Sequence, residues 1–178
     1  MVEINEKIEV LKKIAHQFNE EEVIWALGAS MLLYFKGITT AFHDIDLMIA
    51  EKDVDCVRKI LSEMGEFHPS KPNPGYKTKT FMEYTVDGVD VDVMAGFSIV
   101  HDGKVYDCSL KAEQIVEKMS LGKEEIPLQS ALLWGEYYRL MGRCKKAGMI
   151  ERFYQQDIFR EDKTCTDVNY FALKGRSL

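Results

Sequence analysis

The chain has no CxxC pair: Cys56, Cys108, Cys144 and Cys165 stand far apart, so neither a zinc site nor a disulfide scaffold is suggested. Reduced, mostly buried thiols are expected. No apolar run approaches the ~20 residues that a bilayer requires. Met1 to Glu9 alternate acidic and apolar groups, where a secretory leader would show a basic start and an apolar stretch. A cytoplasmic protein without membrane contact is expected. Positive charge is in deficit, with 23 Lys and Arg against 29 Asp and Glu and a formal net charge of -6. Affinity for a nucleic-acid backbone is dominated by Lys and Arg neutralising phosphates. The balance therefore argues against a nucleic-acid partner and for a small one, although Lys71, Lys77 and Lys79 form a local basic stretch. Internal repeats, low-complexity segments and a clear linker are also missing.

What is present is an ordinary globular composition, 46% hydrophobic and 29% charged over 178 residues, enough for a compact domain with a helical appendage. Ile4, Ile8, Leu11, Ile14, Ala15 and Phe18 recur at three- and four-residue intervals and predict an amphipathic helix over 4–18, closed by Glu20 to Glu22. Val23 to Leu27 is a short apolar run that predicts a strand buried on both faces, turning at Gly28-Ala29-Ser30. Met31 to Phe35 read as a short helix stopped by Gly37, Ile45 to Ala50 as a second strand, and Asp53 to Met64 as a helix. Pro69, Pro72, Pro74 and Gly75 mark an irregular loop. Thr80 to Val86 and Val89 to Ala95 flank Asp87-Gly88, a strong hairpin signal because both turn residues need positive φ. Asp102-Gly103 repeats the device between Ser98 to Val100 and Lys104 to Tyr106. Helices are expected at Lys111 to Met119, Gln129 to Met141 and Gly148 to Phe159. The order predicts an α+β fold, a mixed sheet flanked by helices with a helical C-terminal part.

Candidate chemistry lies in His43-Asp44-Ile45-Asp46-Leu47-Met48-Ile49. The strand period of two puts Asp44 and Asp46 on one face, about 7 Å apart at a rise of ~3.3 Å per residue. Carboxylates so placed can converge on hard cations and leave coordination positions for phosphate and water. Two aspartates at the exposed start of a strand could equally solubilise an edge. Asp90 and Asp92 in Val89-Asp90-Val91-Asp92-Val93 shift the balance, because like charges on neighbouring strands raise each other's pKa and destabilise the fold unless a cation is bound.

Leu27-Gly28-Ala29-Ser30, then Asp44-Ile45-Asp46, then Asp92 resemble the nucleotidyltransferase superfamily. Its members combine a strand ending in Gly-Gly or Gly-Ser, a helix, a strand with Asp-x-Asp and a third carboxylate on a later strand. The stretch from Trp25 to Ile49, with Thr40 and His43 before Asp44, looks most like the small enzymes that modify aminoglycosides and lincosamides. The motifs cover about Trp25 to Gly96. The resemblance implies a nucleotidyltransferase core over 1–110 and a C-terminal helical region over 111–178. It also implies transfer of a nucleoside monophosphate from a nucleoside triphosphate, such as ATP, to an acceptor hydroxyl, with release of pyrophosphate. Asp44 and Asp46 would hold two magnesium ions, Asp92 would complete the set or act as base with Asp90 as the alternative, and Gly28, Ala29 and Ser30 would cradle phosphate.

Other side chains have plainer explanations beside the functional ones. His43 could orient a carboxylate or be a polar loop residue. Trp134, Tyr137 and Tyr138 at helical spacing read as core, with a share in an acceptor pocket as the alternative. Arg139, Arg143, Lys145 and Lys146 suit a helix C-terminus whatever the function, with a contact to triphosphate as the alternative, and Lys36, Lys77 and Lys79 read as solvated charge. Two other functions stay open: nucleotidylation of a protein or RNA partner, as in toxin–antitoxin pairs, and a catalytically silent nucleotide-binding protein. A homodimer is left open too.

Overall fold

The computed structural model describes residues 3–156. The chain runs α1 (Ile4–Glu20), β1 (Trp25–Leu27), α2 (Ala29–Phe35), β2 (Ile45–Ile49), α3 (Val54–Met64), β3 (Glu66–His68), β4 (Thr80–Val86), β5 (Val89–Ala95), β6 (Ser98–His101), β7 (Lys104–Asp107), β8 (Ile115–Leu121), β9 (Glu124–Gln129) and α4 (Ala131–Leu140). A further helix, α5, spans 144–156. The predicted helix over Gly148 to Phe159 therefore starts earlier, and its last residues, like Cys165, lie outside the described residues. Among the described residues, no helix is long and apolar enough to cross a membrane.

Seven strands form one mixed sheet in the order β3-β4-β5-β2-β1-β9-β8, and β6 and β7 form a separate hairpin. The α+β expectation holds. β2 and β5 are parallel, as are β1 and β9, whereas β1 and β2 are antiparallel. Both predicted aspartate–glycine hairpins form, with φ of 49° at Asp87 and 80° at Gly88, and 49° and 72° at Asp102 and Gly103.

One expectation fails. Lys111 to Met119 is not a helix: a short 3-10 turn over Ala112–Gln114 leads into β8, which pairs with β9 around a third tight turn at Gly122 (φ 64°). Ala112, Ile115, Val116 and Met119 happen to fall at helical intervals, but β8 is an edge strand with an exposed Val116, so its pattern reports no buried helical face. Pro127 inside β9 further disguises the hairpin, since proline donates nothing to a strand ladder. β8 and β9 lie beyond residue 110 yet belong to the same sheet as β1.

The register separates two faces. Trp25, Ile45, Leu47, Ile49, Val91, Val93, Met82 and Tyr84 share one, all buried. Against it pack α1, through Val10, Leu11, Ile14 and Phe18, and α3, where Ser62 Oγ lies 3.3 Å from the Tyr84 hydroxyl. Phe18 meets Trp25 edge to face at 5.6 Å. The other face carries Asp46, Met48, Asp90, Asp92 and Met94. Met48 and Met94 are buried, while Phe81, Glu83 and Thr85 on β4 leave the flank toward β3 partly open. The acidic positions therefore lie where a covered sheet meets an open one.

Candidate active site

Asp44 immediately precedes β2 and Asp46 lies one residue inside it. In the parallel pairing of β2 with β5, Asp46 stands opposite Asp92, and Asp92 stands opposite Glu83 on β4. One carboxylate oxygen from each of Asp44, Asp46 and Asp92 lies within 4.8 Å of the other two, and all three residues are half-buried. Asp90 is not in this group: it is exposed and accepts a hydrogen bond from the Thr85 hydroxyl at 3.3 Å.

The electrostatics follow from that crowding. Burial, followed by the charges of Asp44 and Asp92, holds the Asp46 carboxyl well above the usual range, while Lys146 and Arg143 pull in the opposite direction. Burial together with Asp44, Glu83 and Asp90 pushes Asp92 up to about 7. Three carboxylates facing one another with so little compensation are costly alone and become favourable around a hard dication, which takes several oxygen ligands at once. The donor set fits magnesium.

The turn after β1 is built closely against this group. The Gly28 N–H donates to the Asp46 carbonyl at 3.0 Å, and Leu32 N–H makes the first bond of α2, to the Gly28 carbonyl at 3.2 Å. The amides of Ala29, Ser30 and Met31 thus form the free first turn of α2 beside Asp46. A Cβ at Gly28 would sit 2.4 Å from Cζ2 of Trp134, so glycine is demanded here by an indole packed on the backbone. Ala29 has φ 45°, the left-handed region that favours glycine. Ser30 is buried.

Trp134 is held in turn by Gln129, fully buried, whose Oε1 accepts the indole N–H at 2.9 Å and whose amide donates to Gln114 Oε1 at 3.2 Å. This support was not legible in the sequence, where Gln129 looked like a helix start. Arg143 and Lys146, expected as charges at a helix end with a triphosphate contact as the alternative, act on Asp46 across space. His43 is exposed. Lys36 pairs with Glu117 at 2.6 Å and Lys79 with Glu51 at 2.8 Å, surface pairs away from the three aspartates.

With this geometry in view, solved structures place the fold. A protein of Thermotoga maritima provisionally described as a nucleotidyltransferase superposes with a TM-score of 0.65 at 22% identity, over 87% of this chain and 96% of its own. The chain has the nucleotidyltransferase fold. ANT(2'')-Ia in complex with adenylyl-2''-tobramycin aligns with a TM-score of 0.57 at 9% identity, over 92% of this chain and 98% of that one. Lincomycin-bound LnuA, a lincosamide antibiotic adenylyltransferase, aligns with a TM-score of 0.53 at 13% identity, over 80% and 95%. No protein-family model matches the chain, and no curated protein matches it in sequence.

Proposed function

We propose that the protein is a magnesium-dependent nucleotidyltransferase that moves a nucleoside monophosphate from a nucleoside triphosphate to a hydroxyl of a small molecule. The observation that carries this reading is the convergence of Asp44, Asp46 and Asp92 beside the first turn of α2. In the reaction, the acceptor oxygen bonds to the α-phosphorus, the bond from that phosphorus to the β-phosphate oxygen breaks, and pyrophosphate leaves. The protein must therefore orient a hydroxyl and neutralise a polyphosphate. Asp44, Asp46 and Asp92 would hold magnesium, two ions being expected. When bound, the metal would neutralise phosphate charge and lower the pKa of the acceptor hydroxyl. Asp92 closes the set or takes the acceptor proton. Ala29 and Ser30 would offer backbone donors to phosphate, with Gly28 fixing the turn that presents them.

Residues 1–110 carry the candidate catalytic groups, and the chain beyond 110 completes the sheet through β8 and β9 and lays Trp134 of α4 on the Gly28 turn. The neighbours in complex with an adenylylated aminoglycoside and with lincomycin favour ATP as donor and an antibiotic-like acceptor. Glu83 and Asp90 beside Asp92 favour an acceptor bearing amines and are a poor surface for an RNA backbone. A cytoplasmic setting, where nucleoside triphosphates are supplied, suits this chemistry. The test is pyrophosphate release from ATP and magnesium against a panel of aminoglycosides and lincosamides. Release with at least one acceptor is expected; none with any acceptor, together with no binding of magnesium ATP, would overturn the reading.

A further inference from the structure

α1 buries a face built from Val10, Leu11, Ile14, Ala15 and Phe18, and Lys7 stands on that face one turn earlier, itself buried. A lysine where the helical period calls for an apolar residue is costly, because an ammonium gives up its hydration there and needs hydrogen bonds in exchange. Among the described residues, the polar group that meets it is the Phe42 carbonyl, which accepts from Nζ at 3.2 Å. The Phe42 ring lies 5.3 Å from the same nitrogen and turns its electron-rich face to it. Both contacts of the buried cation thus fall on one residue.

Phe42 is where the loop between α2 and β2 enters the core. Its ring is buried and packs on Tyr34 of α2 with centroids 5.0 Å apart, while Ala41 before it and His43 after it are exposed. The pairing of β2 with β5 begins at Ile45, and that with β1 at Leu47. Asp44 therefore has no strand partner to set its backbone. The nearest anchored point upstream is Phe42, where the bond to Lys7 holds the peptide that joins Phe42 to His43. Just beyond, the chain bends at Asp44, whose carboxylate meets those of Asp46 and Asp92.

We infer that Lys7 is a positioning residue for the metal site: by fixing the Phe42 carbonyl it sets the direction in which the chain enters β2, and so the place of the Asp44 carboxylate. This rests on the nucleotidyl-transfer reading, in which Asp44 is a metal ligand. α1 then takes part in the reaction without touching metal or substrate. A charged donor suits the task, since its bond to a buried carbonyl is stronger than a neutral one.

The experiment measures manganese(II) binding to the full-length protein from the paramagnetic resonance of the free ion, manganese sharing magnesium's preference for oxygen ligands. Melting temperature in EDTA is recorded alongside, for wild type, Lys7→Met, Phe42→Leu and Asp44→Asn. Lys7→Met keeps most of the side-chain volume and removes the ammonium. It should weaken manganese binding by about tenfold or more, as groups that orient metal ligands do. Its melting temperature should not fall, because an apolar group of similar volume replaces a buried charge. Phe42→Leu keeps the carbonyl and opens a cavity, so it should melt lower yet bind manganese within about twofold of wild type. A merely structural lysine would give the opposite pattern in Lys7→Met, a lower melting temperature with unchanged affinity. The assignment is overturned if Lys7→Met binds manganese as wild type does, melts below wild type or does not fold, or if Phe42→Leu weakens binding equally. If wild type binds no manganese, or Asp44→Asn binds it as wild type does, the nucleotidyl-transfer reading fails and the role of Lys7 with it.

Discussion

Asp92 stands between Asp46 on one neighbouring strand and Glu83 on the other, and its carboxyl is pushed up to about 7 from an ordinary 3.8. A raised carboxyl means that the fold prefers the protonated form. The associated stability is present in full below 3.8 and is lost as the pH climbs through about 7. At about 1.4 kcal/mol for each pH unit the gap corresponds to ~4 kcal/mol, and water reaching a half-buried carboxyl screens this to ~2 kcal/mol. Asp92→Asn keeps the shape and removes the charge. In EDTA at pH 8 it should therefore stabilise the protein by ~2 kcal/mol, a rise of ~4–8 °C in melting temperature for a chain of this size. At pH 4 the gain should nearly vanish. Magnesium should reverse the order: at a concentration about a hundredfold above its dissociation constant it stabilises wild type by ~2.7 kcal/mol and the variant by much less. Thermal denaturation at the two pH values, with EDTA or magnesium, measures all four states. A variant less stable than wild type at pH 8 in EDTA would show that the Asp92 charge is satisfied by the protein itself, and the case for a cation would fail.

Gly28→Ala would place a methyl 2.4 Å from the Trp134 ring; it should cost ~1–3 kcal/mol through overpacking and shift tryptophan fluorescence, whereas unchanged melting would mean that α4 yields freely. Ala29→Gly relieves a left-handed φ of 45° and should stabilise by ~1 kcal/mol in urea denaturation; a loss of stability would indicate that its buried methyl matters more than the backbone. Asp90→Asn should leave nucleotidyl transfer within about twofold of wild type, while Asp44→Asn lowers it by on the order of a hundredfold or more. Equal losses in the two would return Asp90 to the site.

The sequence by itself determined much of this protein, wherever the deciding interaction is local. Side-chain alternation in a strand puts Asp44 with Asp46, and Asp90 with Asp92, whatever surrounds them. Asp87-Gly88 and Asp102-Gly103 impose their hairpins because the turn needs positive φ at both residues. The β8–β9 hairpin escaped because helical spacing of a few apolar residues on an exposed edge resembles a buried face, and only pairing with β1 distinguishes them. The choice between Asp90 and Asp92 was also beyond the sequence. Both share a face, and a two-residue slip of β5 along β2 would exchange them without exposing the core. That register, joining strands far apart in the sequence, sets Asp46 against Asp92. The packing of Trp134 on Gly28, with Gln129 behind the indole, is likewise a product of α4 lying against α2. Non-local packing has no periodicity to read, so the carboxylates were visible in the sequence, and the tertiary structure alone decided which of them meet and what closes over them.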